Sequence, residues 1–302
     1  MKRALACTIL ATVAAIAGAC DGSIKNTTRV SAGAKPVAKD ATRAELLDSY
    51  NRMAGSLNTL NATLQLKPTA GSRYSGVIDE YHEVKVFLLA ARPAEIRMIG
   101  QVPVVGKTVF DMASDGKTFS ASIPSKNKFL VGAVALERTS NKPIENLRPQ
   151  HLLDSLLWKE IAPQEKLLFE EFNDELGRFY VLTVLRGVDT PEIARKIWFN
   201  RADLRVSRLE SYGPQGTLVS DVHFSKWEPL IADQEVAAGS RGDLTFFPRK
   251  IRIERPHDDY TLDLEIKKLV LNGAIPAERF KLEQPAGTEL GRVGERAAEK
   301  QQ

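Results

Sequence analysis

Between Asn61 and Leu271 the apolar residues of this chain recur at every second position, and that period limits what the chain can fold into. Ala62, Leu64 and Leu66 alternate with polar neighbours. So do Val84, Val86 and Leu88, then Ile96 and Met98, Ile251 and Ile253, and Leu262, Leu264 and Ile266. Successive side chains of a strand point to opposite faces, so each segment has one apolar and one polar side. A slip of one residue would turn the whole apolar set to water, which fixes the register. Further strands are predicted at Val77 and over residues 81–89, 95–102, 108–113, 117–123, 166–172, 178–185, 196–200, 206–212, 217–227, 250–254 and 260–271. The dipeptide Asp115-Gly116, between two of them, predicts a type I′ hairpin turn.

Two segments break the period of two. Thr42 and Glu45 have the spacing of a capping box, and Leu46, Leu47, Tyr50, Met53, Leu57 and Leu60 follow at three- and four-residue intervals. Pro149 suits the first turn of a second helix, whose apolar face is Leu152, Leu153, Leu156, Leu157 and Trp158. Many strands with two helices make an α+β chain. The sheet has an apolar side that must be covered, and a strongly curved sheet with amphipathic helices on its concave face meets that need. No internal repeat of fixed period is visible, which disfavours a propeller.

The first twenty residues are read differently. Lys2 and Arg3 precede an apolar stretch of about 16 residues that ends in Ala17-Gly18-Ala19-Cys20, shorter than the roughly 20 a spanning helix needs. This is the layout of an export signal over residues 1–19. The junction resembles a bacterial lipobox, with Ala17 where Leu is usual. That resemblance implies a diacylglyceryl thioether, of the palmitate type, on Cys20. The other reading is an ordinary signal cut after Ala17-Gly18-Ala19. Of two cysteines, Cys7 would leave with the signal, so the mature chain keeps a single thiol at its first position and cannot form an internal disulfide. Asp21 would follow the modified cysteine directly. In enteric bacteria Asp at that place retains lipoproteins at the inner membrane, so the resemblance makes Asp21 a candidate for membrane sorting and leaves inner or outer membrane open. Residues 21–40 carry no apolar periodicity and read as a flexible tether, within a leader taken as 20–41.

Charge and motifs exclude several classes. Loss of Lys2 and Arg3 leaves 40 basic against 38 acidic residues, interspersed, which disfavours a nucleic-acid surface. The four histidines show no metal-ligand spacing, and no metal or cofactor is expected. There is no nucleophile elbow or phosphate-binding glycine loop, and the Ser114…Lys117 spacing is ordinary turn chemistry. No catalytic residue is expected, and the chain does not read as an enzyme.

Taken in order, the elements resemble the LolA/LolB lipoprotein-localisation superfamily and its bacterial lipoprotein relatives. The resemblance lies in the helix leading into "LNTLNATLQL" (57–66) and in residues 89–132, which contain "RPAEIRMIGQVPVVGKTVFDMASDGKTFSASIP". It continues in "RKIWFNRADLRVSRLESYGPQG", "FPRKIRIERP" and "LVLNGAIPAERFKLEQPAG", and covers most of residues 43–287. It implies an unclosed antiparallel β-barrel whose mouth is covered by helices and whose apolar interior accepts acyl chains. A lipid anchor makes the chain more like the membrane-bound receptor than the soluble carrier. Val102 to Val105 is a candidate for the receptor's protruding apolar loop, or else a strand end bent at Pro103.

The expected domain is thus 42–287, followed by a disordered tail, 288–302. Val86, Leu88, Ile96, Met98, Ile253 and Leu264 are the candidate lipid-pocket residues. The expected function is a periplasm-facing envelope lipoprotein that binds lipid or lipoprotein acyl chains. The alternative is an envelope lipoprotein with a filled barrel that acts through a protein partner.

Overall fold

A computed structural model describes residues 37–72, 76–135, 146–174, 177–231, 234–237 and 244–293. The expected export signal, Cys20, Asp21 and the expected tether up to residue 36 lie outside the described residues.

Helix α1 (Arg43–Ser56) begins as its sequence predicts. The Glu45 N–H donates to the Thr42 hydroxyl at 3.3 Å, and the Thr42 N–H donates to the Glu45 carboxylate at 2.7 Å, closing the capping box. The helix stops earlier than its apolar stripe suggests. Leu57 caps its C-terminus in an extended conformation, and Leu60 belongs to the strand that follows. Both are still buried, because the chain turns back under the helix. Helix α2 (Pro149–Leu156) has Pro149 in its first turn and buries Leu152, Leu153 and Leu156. Leu157 and Trp158, expected on that helix, lie just beyond it and are buried too.

Strands follow α1 in two meanders. The first is β1 (Thr59–Ser72), β2 (Val77–Glu80), β3 (Val84–Ala91), β4 (Glu95–Gln101), β5 (Thr108–Ser114), β6 (Thr118–Ile123) and β7 (Lys128–Ala133). After α2 come β8 (Lys166–Asn173), β9 (Arg178–Arg186), β10 (Glu192–Asn200), β11 (Arg205–Tyr212), β12 (Leu218–Pro229), β13 (Phe246–Arg255) and β14 (Tyr260–Leu271). All join one sheet in the order β15-β7-β6-β5-β4-β3-β1-β14-β13-β12-β11-β10-β9-β8, where β15 is Glu289–Val293 and β2 pairs with the far end of β1. The meanders meet where β1 lies antiparallel to β14, with Leu60 opposite Leu271 and Ala70 opposite Tyr260. The sheet does not close: β8 and β15 are its two ends. Bulges at Thr63/Leu64, Gly100/Gln101, Ile193/Arg195, Trp198/Phe199 and Ser211/Tyr212 bend the strands.

Three local details differ from expectation. The β5–β6 loop has three residues, and only Gly116 in it has positive φ, so it is not a type I′ turn. Asp115 fixes it instead, its carboxylate accepting from the Lys117 and Thr118 N–H groups at 2.8 and 2.7 Å. The tail expected from residue 288 opens with an ordered strand, as β15 runs parallel to β7 and pairs Leu290 with Phe129. This parallel pair makes an otherwise antiparallel sheet mixed.

One face of the sheet and both helices share a single apolar core. The other face carries cross-strand ion pairs: Arg97 with Asp111 at 2.9 Å, Arg208 with Asp221 at 2.6 Å and Arg252 with Asp263 at 2.9 Å. That division is the alternation of the sequence made physical. No helix among the described residues is long and apolar enough to cross a membrane.

Candidate functional site

Along part of the sheet, α1 does not lie flush. Between its inner face and strands β10 to β13 is a cavity of about 620 Å³, within the range of small-molecule sites. Its floor is buried Tyr50, Trp158, Phe199, Val206 and Leu244, with Met53, Leu204, Trp227 and Phe246 partly buried around them. Polar residues border it: Ser49 and Arg52 on α1, Asp203 and Arg205 at the β10–β11 turn, and Thr245 before β13.

The aromatic floor is held from behind. Tyr50 stacks on Trp158 at 5.6 Å between centroids and 6° between planes, and Phe224 meets the same indole edge-on at 5.0 Å. The segment after α2 is tied down by side chains from three elements. Asn51 exchanges two hydrogen bonds with the Ile161 backbone, at 2.8 and 2.9 Å. Arg195 donates to the Lys159 and Glu160 carbonyls at 2.6 and 2.9 Å. Arg92 donates to the Trp158 carbonyl at 2.6 Å and to the Ala54 and Leu57 carbonyls at 2.9 and 2.8 Å. The Tyr50 hydroxyl donates to the Lys159 carbonyl at 2.9 Å, and burial pushes the phenol up to about 12, so it stays protonated. Leu204 reaches the cavity from a left-handed conformation, φ 64°, which an aliphatic side chain adopts only when its surroundings enforce it. Beside it the Arg205 guanidinium lies 3.8 Å above the Phe246 ring and 3.2 Å from the Asp203 carboxylate.

The folded body is anchored close by. Arg201, buried in the same turn as Asp203, donates to the Lys39 carbonyl and the Asp40 carboxylate at 3.2 and 2.7 Å, and it also pairs with Glu171. The Lys39 N–H returns a bond to the Arg201 carbonyl at 2.7 Å.

A second polar cluster lies at the start of α2. Arg255 donates to His151 Nε2 at 3.3 Å, and His151 Nδ1 meets the Tyr260 hydroxyl. An arginine can only donate, so Nε2 is the bare nitrogen and Nδ1 carries the proton. Burial, then Arg255 and Arg148, hold the imidazole well below its usual pKa, so it is neutral. Arg255 is also bonded to Asp258 at 2.8 Å. The cluster fastens the start of α2 to Arg255 of β13 and Tyr260 of β14. Among the described residues no group of three or more His, Cys, Asp or Glu side chains is placed to hold a metal ion.

No protein-family model matches this chain, and no curated protein matches it. Solved structures do. A LolA superfamily protein from Nitrosomonas europaea aligns at 12% identity over 80% of this chain and 99% of that one, with a TM-score of 0.45. A DUF1329 family protein from Desulfovibrio piger aligns at 14% identity over 80% and 98%, with a TM-score of 0.49. A putative outer membrane lipoprotein-sorting protein domain from Vibrio parahaemolyticus aligns at 9% identity over 78% and 94%, TM-score 0.45.

Within the sheet, the six pocket residues expected from the sequence take a different place from the cavity. Val86, Leu88, Ile96, Met98 and Ile253 are completely buried and Leu264 almost so, all in the packed core. They lie together on the inward faces of β3, β4, β13 and β14, where α2 covers β4 and β5. None of the six lines the cavity under α1. Leu264 borders only a polar depression of about 510 Å³ that includes Lys67, His223, Arg252 and Glu265 of the outer face. Of the cavity residues, Trp158 was expected only on the apolar face of α2, and Phe199, Trp227 and Phe246 were not singled out from the sequence. Their signal was there in the inward aromatic residues clustered in the second meander.

The stretch Val102 to Val105 forms the tip of the β4–β5 hairpin, closed by a bond from the Val102 N–H to the Lys107 carbonyl at 2.9 Å. Val104 is fully exposed, with φ 69°. The tip lies at the opposite end of the strands from the cavity, as the registers from β13 through β14, β1 and β3 to β4 require.

Proposed function

We propose that this protein is a bacterial envelope lipoprotein, anchored through Cys20 and facing the periplasm, that takes the acyl chain of a lipid or lipoprotein into the cavity beneath α1. The aromatic-floored cavity carries this reading. An apolar chain placed there leaves water on contact with carbon surface, at about 25 cal/mol per Å² of apolar area removed. Two acyl groups on Cys20 would give stable anchoring, where one gives marginal binding. Lys39 and Asp40 are bonded to Arg201, in the same turn as Asp203 of the cavity border. Trafficking of lipids or lipoproteins is the process such a protein would serve.

The direct test is mass spectrometry of lipids carried by protein purified from its native membrane, with binding of a fluorescent acyl probe in parallel. Trp158→Ala should change probe binding while circular dichroism stays native-like. A wild-type protein that carries no lipid and binds no probe overturns the carrier reading. Cys20→Ser should release a soluble or unprocessed form, and unaltered membrane association without acyl mass on residue 20 would remove the anchor. Fractionation of Asp21→Ser against wild type decides whether Asp21 sorts the protein between membranes.

A second reading has its own support. The inward faces of β3, β4, β13 and β14 are packed shut around Val86, Met98 and Ile253. That packing favours a filled half-barrel acting through an envelope protein partner, and empty lipid extracts would shift the weight to it.

A further inference from the structure

The two ends of the sheet differ. At one, β15 is five residues long and has Gly291 at its centre. At the other, β8 runs for eight residues beside β9 in an unbroken register, with no proline or bulge to turn it away. Among the described residues no strand lies beyond β8. Its apolar side chains meet water on both faces: Leu168 is 59% exposed, Phe169 39% and Phe172 40%. Phe172 meets the Trp198 ring edge-on at 5.1 Å on the outer face, and Phe169 lies beside Tyr180 on the inner one. An edge this long and this apolar is a template for another strand.

The backbone says which groups are free to pair. The Asp174 N–H donates to the Gly177 carbonyl at 3.0 Å, which places residue 174 among the hydrogen-bonded pairs of the β8–β9 hairpin. Residues 166, 168, 170 and 172 then bond to β9, and Leu167, Phe169, Glu171 and Asn173 turn their backbone groups to the open edge. Two copies that both bond through these odd-numbered residues are related by a two-fold axis that passes through a residue. An axis at Glu170 or Glu171 sets two like carboxylates against each other. An axis at Phe169 puts Leu168 opposite Glu170 and Leu167 opposite Glu171. An axis at Leu168 sets Leu168 on itself, Leu167 opposite Phe169 and Lys166 opposite Glu170, the last two pairs occurring twice. Carbon then meets carbon and each charge meets its opposite. Among the described residues neither Lys166 nor Glu170 has an ion-pair partner of its own; Lys166 Nζ reaches the Val188 carbonyl at 3.4 Å, which leaves its charge unbalanced. Glu171 and Glu165, which would meet at the ends of this ladder, are each held by an arginine of their own subunit, Arg201 and Arg195.

We propose that β8 pairs antiparallel with β8 of a second copy of this chain, with Leu168 against Leu168 of the partner subunit and Lys166 against Glu170 of the partner subunit. The contact is isologous, so it closes at two copies and uses up the edge. It joins the two sheets into one, with both apolar interiors on the same side. The pairing is independent of what fills the cavity under α1.

The test uses the full chain bearing Cys7→Ser and Cys20→Ser. Sedimentation velocity over a dilution series should show a monomer–dimer equilibrium. Lys166→Glu and Glu170→Lys should each weaken it about tenfold or more, by turning two attractive pairs into repulsive ones, and the two together should restore it. Leu168→Cys should give a disulfide-linked dimer on mild oxidation, because a directly opposed, non-hydrogen-bonded pair brings its Cα atoms to about 4.5 Å. Phe169→Cys and Glu170→Cys report two of the other axes and should cross-link poorly. A monomer at every concentration overturns the proposal. So does a dimer that cross-links through residue 169 or 170 instead, or one that ignores the charge exchange. In cells, a photo-reactive side chain at position 168 of the otherwise unaltered chain should give an adduct of two copies. An adduct with a different protein in its place would overturn self-pairing and make this edge the seat of another strand.

Discussion

Replacing Arg92 with Met should destabilise the protein by about 3–4 kcal/mol. Helix α1 has no glycine at or just after its C-cap, Leu57, and no basic residue in its last turn, so its final carbonyls need partners from elsewhere. Asn272 Nδ2 serves the Ser56 carbonyl at 2.7 Å. Arg92, just past β3, serves those of Ala54 and Leu57 and reaches on to Trp158. Methionine keeps the length of the side chain and most of its carbon packing, but it leaves three carbonyls unpaired in a partly buried place. Bonds from a charged donor contribute roughly 1.5–3 kcal/mol each when buried, and discounting for partial exposure brings three of them to about 3–4 kcal/mol. Urea unfolding followed by tryptophan fluorescence measures the change directly. A shift in midpoint at constant slope isolates stability from compactness. Arg92→Lys, whose ammonium cannot span the same three acceptors, should recover only part of the loss. Acyl-probe binding should weaken along the series as the backbone at Trp158 loosens. A loss below about 1 kcal/mol for the methionine variant would refute this account of how α1 is terminated.

Three further outcomes are expected. His151 is held neutral, so below about pH 6.5 the unfolded chain takes up a proton that the folded one refuses, and stability present above that pH is lost as the pH falls. The slope from this group should approach about 1.4 kcal/mol per pH unit and flatten in His151→Gln; parallel profiles would show that Arg255, Arg148, Asp258 and Tyr260 do not enforce neutrality. Val104→Asn should raise Tm by about 1–3 °C, since Asn tolerates the left-handed conformation and no burial is lost; a fall in Tm would mean the valine is held by contacts not seen at this exposed tip. Deleting residues 288–302 should cost about 2 kcal/mol through the β15–β7 ladder, and unchanged unfolding would show that the strand adds nothing.

The sequence made the sheet legible because alternation and burial have the same cause. Leu64, Val86, Met98, Ile253 and Leu264 all face the core as their spacing predicts. The Thr42–Glu45 box was readable because it is local. Strand β7 was harder to see, since Phe129, Leu130 and Val131 are consecutive and carry no period. Strand β15 was hidden by a polar, glycine-containing sequence that pairs through its backbone. The six expected pocket residues fall outside the cavity for a deeper reason. Alternation says which side of a strand is inside but not whether the inside is filled. Around Met98 the core closes, while between α1 and β10–β13 a cavity is left open. That choice depends on contacts such as Arg92 to Trp158 and Asn51 to Ile161, between residues more than 60 positions apart.

The pairing of β1 with β14 has a consequence for how the molecule comes into being. Strands β3 to β7 and β8 to β14 are built from hairpins and can form as they emerge, each from its own stretch of chain. The central partner of β1 is not made until Leu271, about 200 residues after Leu60. At roughly 5–20 residues per second, Leu60, Leu64 and Leu66 wait on the order of 10–40 s without the strand that covers one side of them. The part of the sheet that ends deepest in the molecule is therefore the part exposed longest during synthesis. A chain of this topology relies on being kept apart from its neighbours until its C-terminal third arrives.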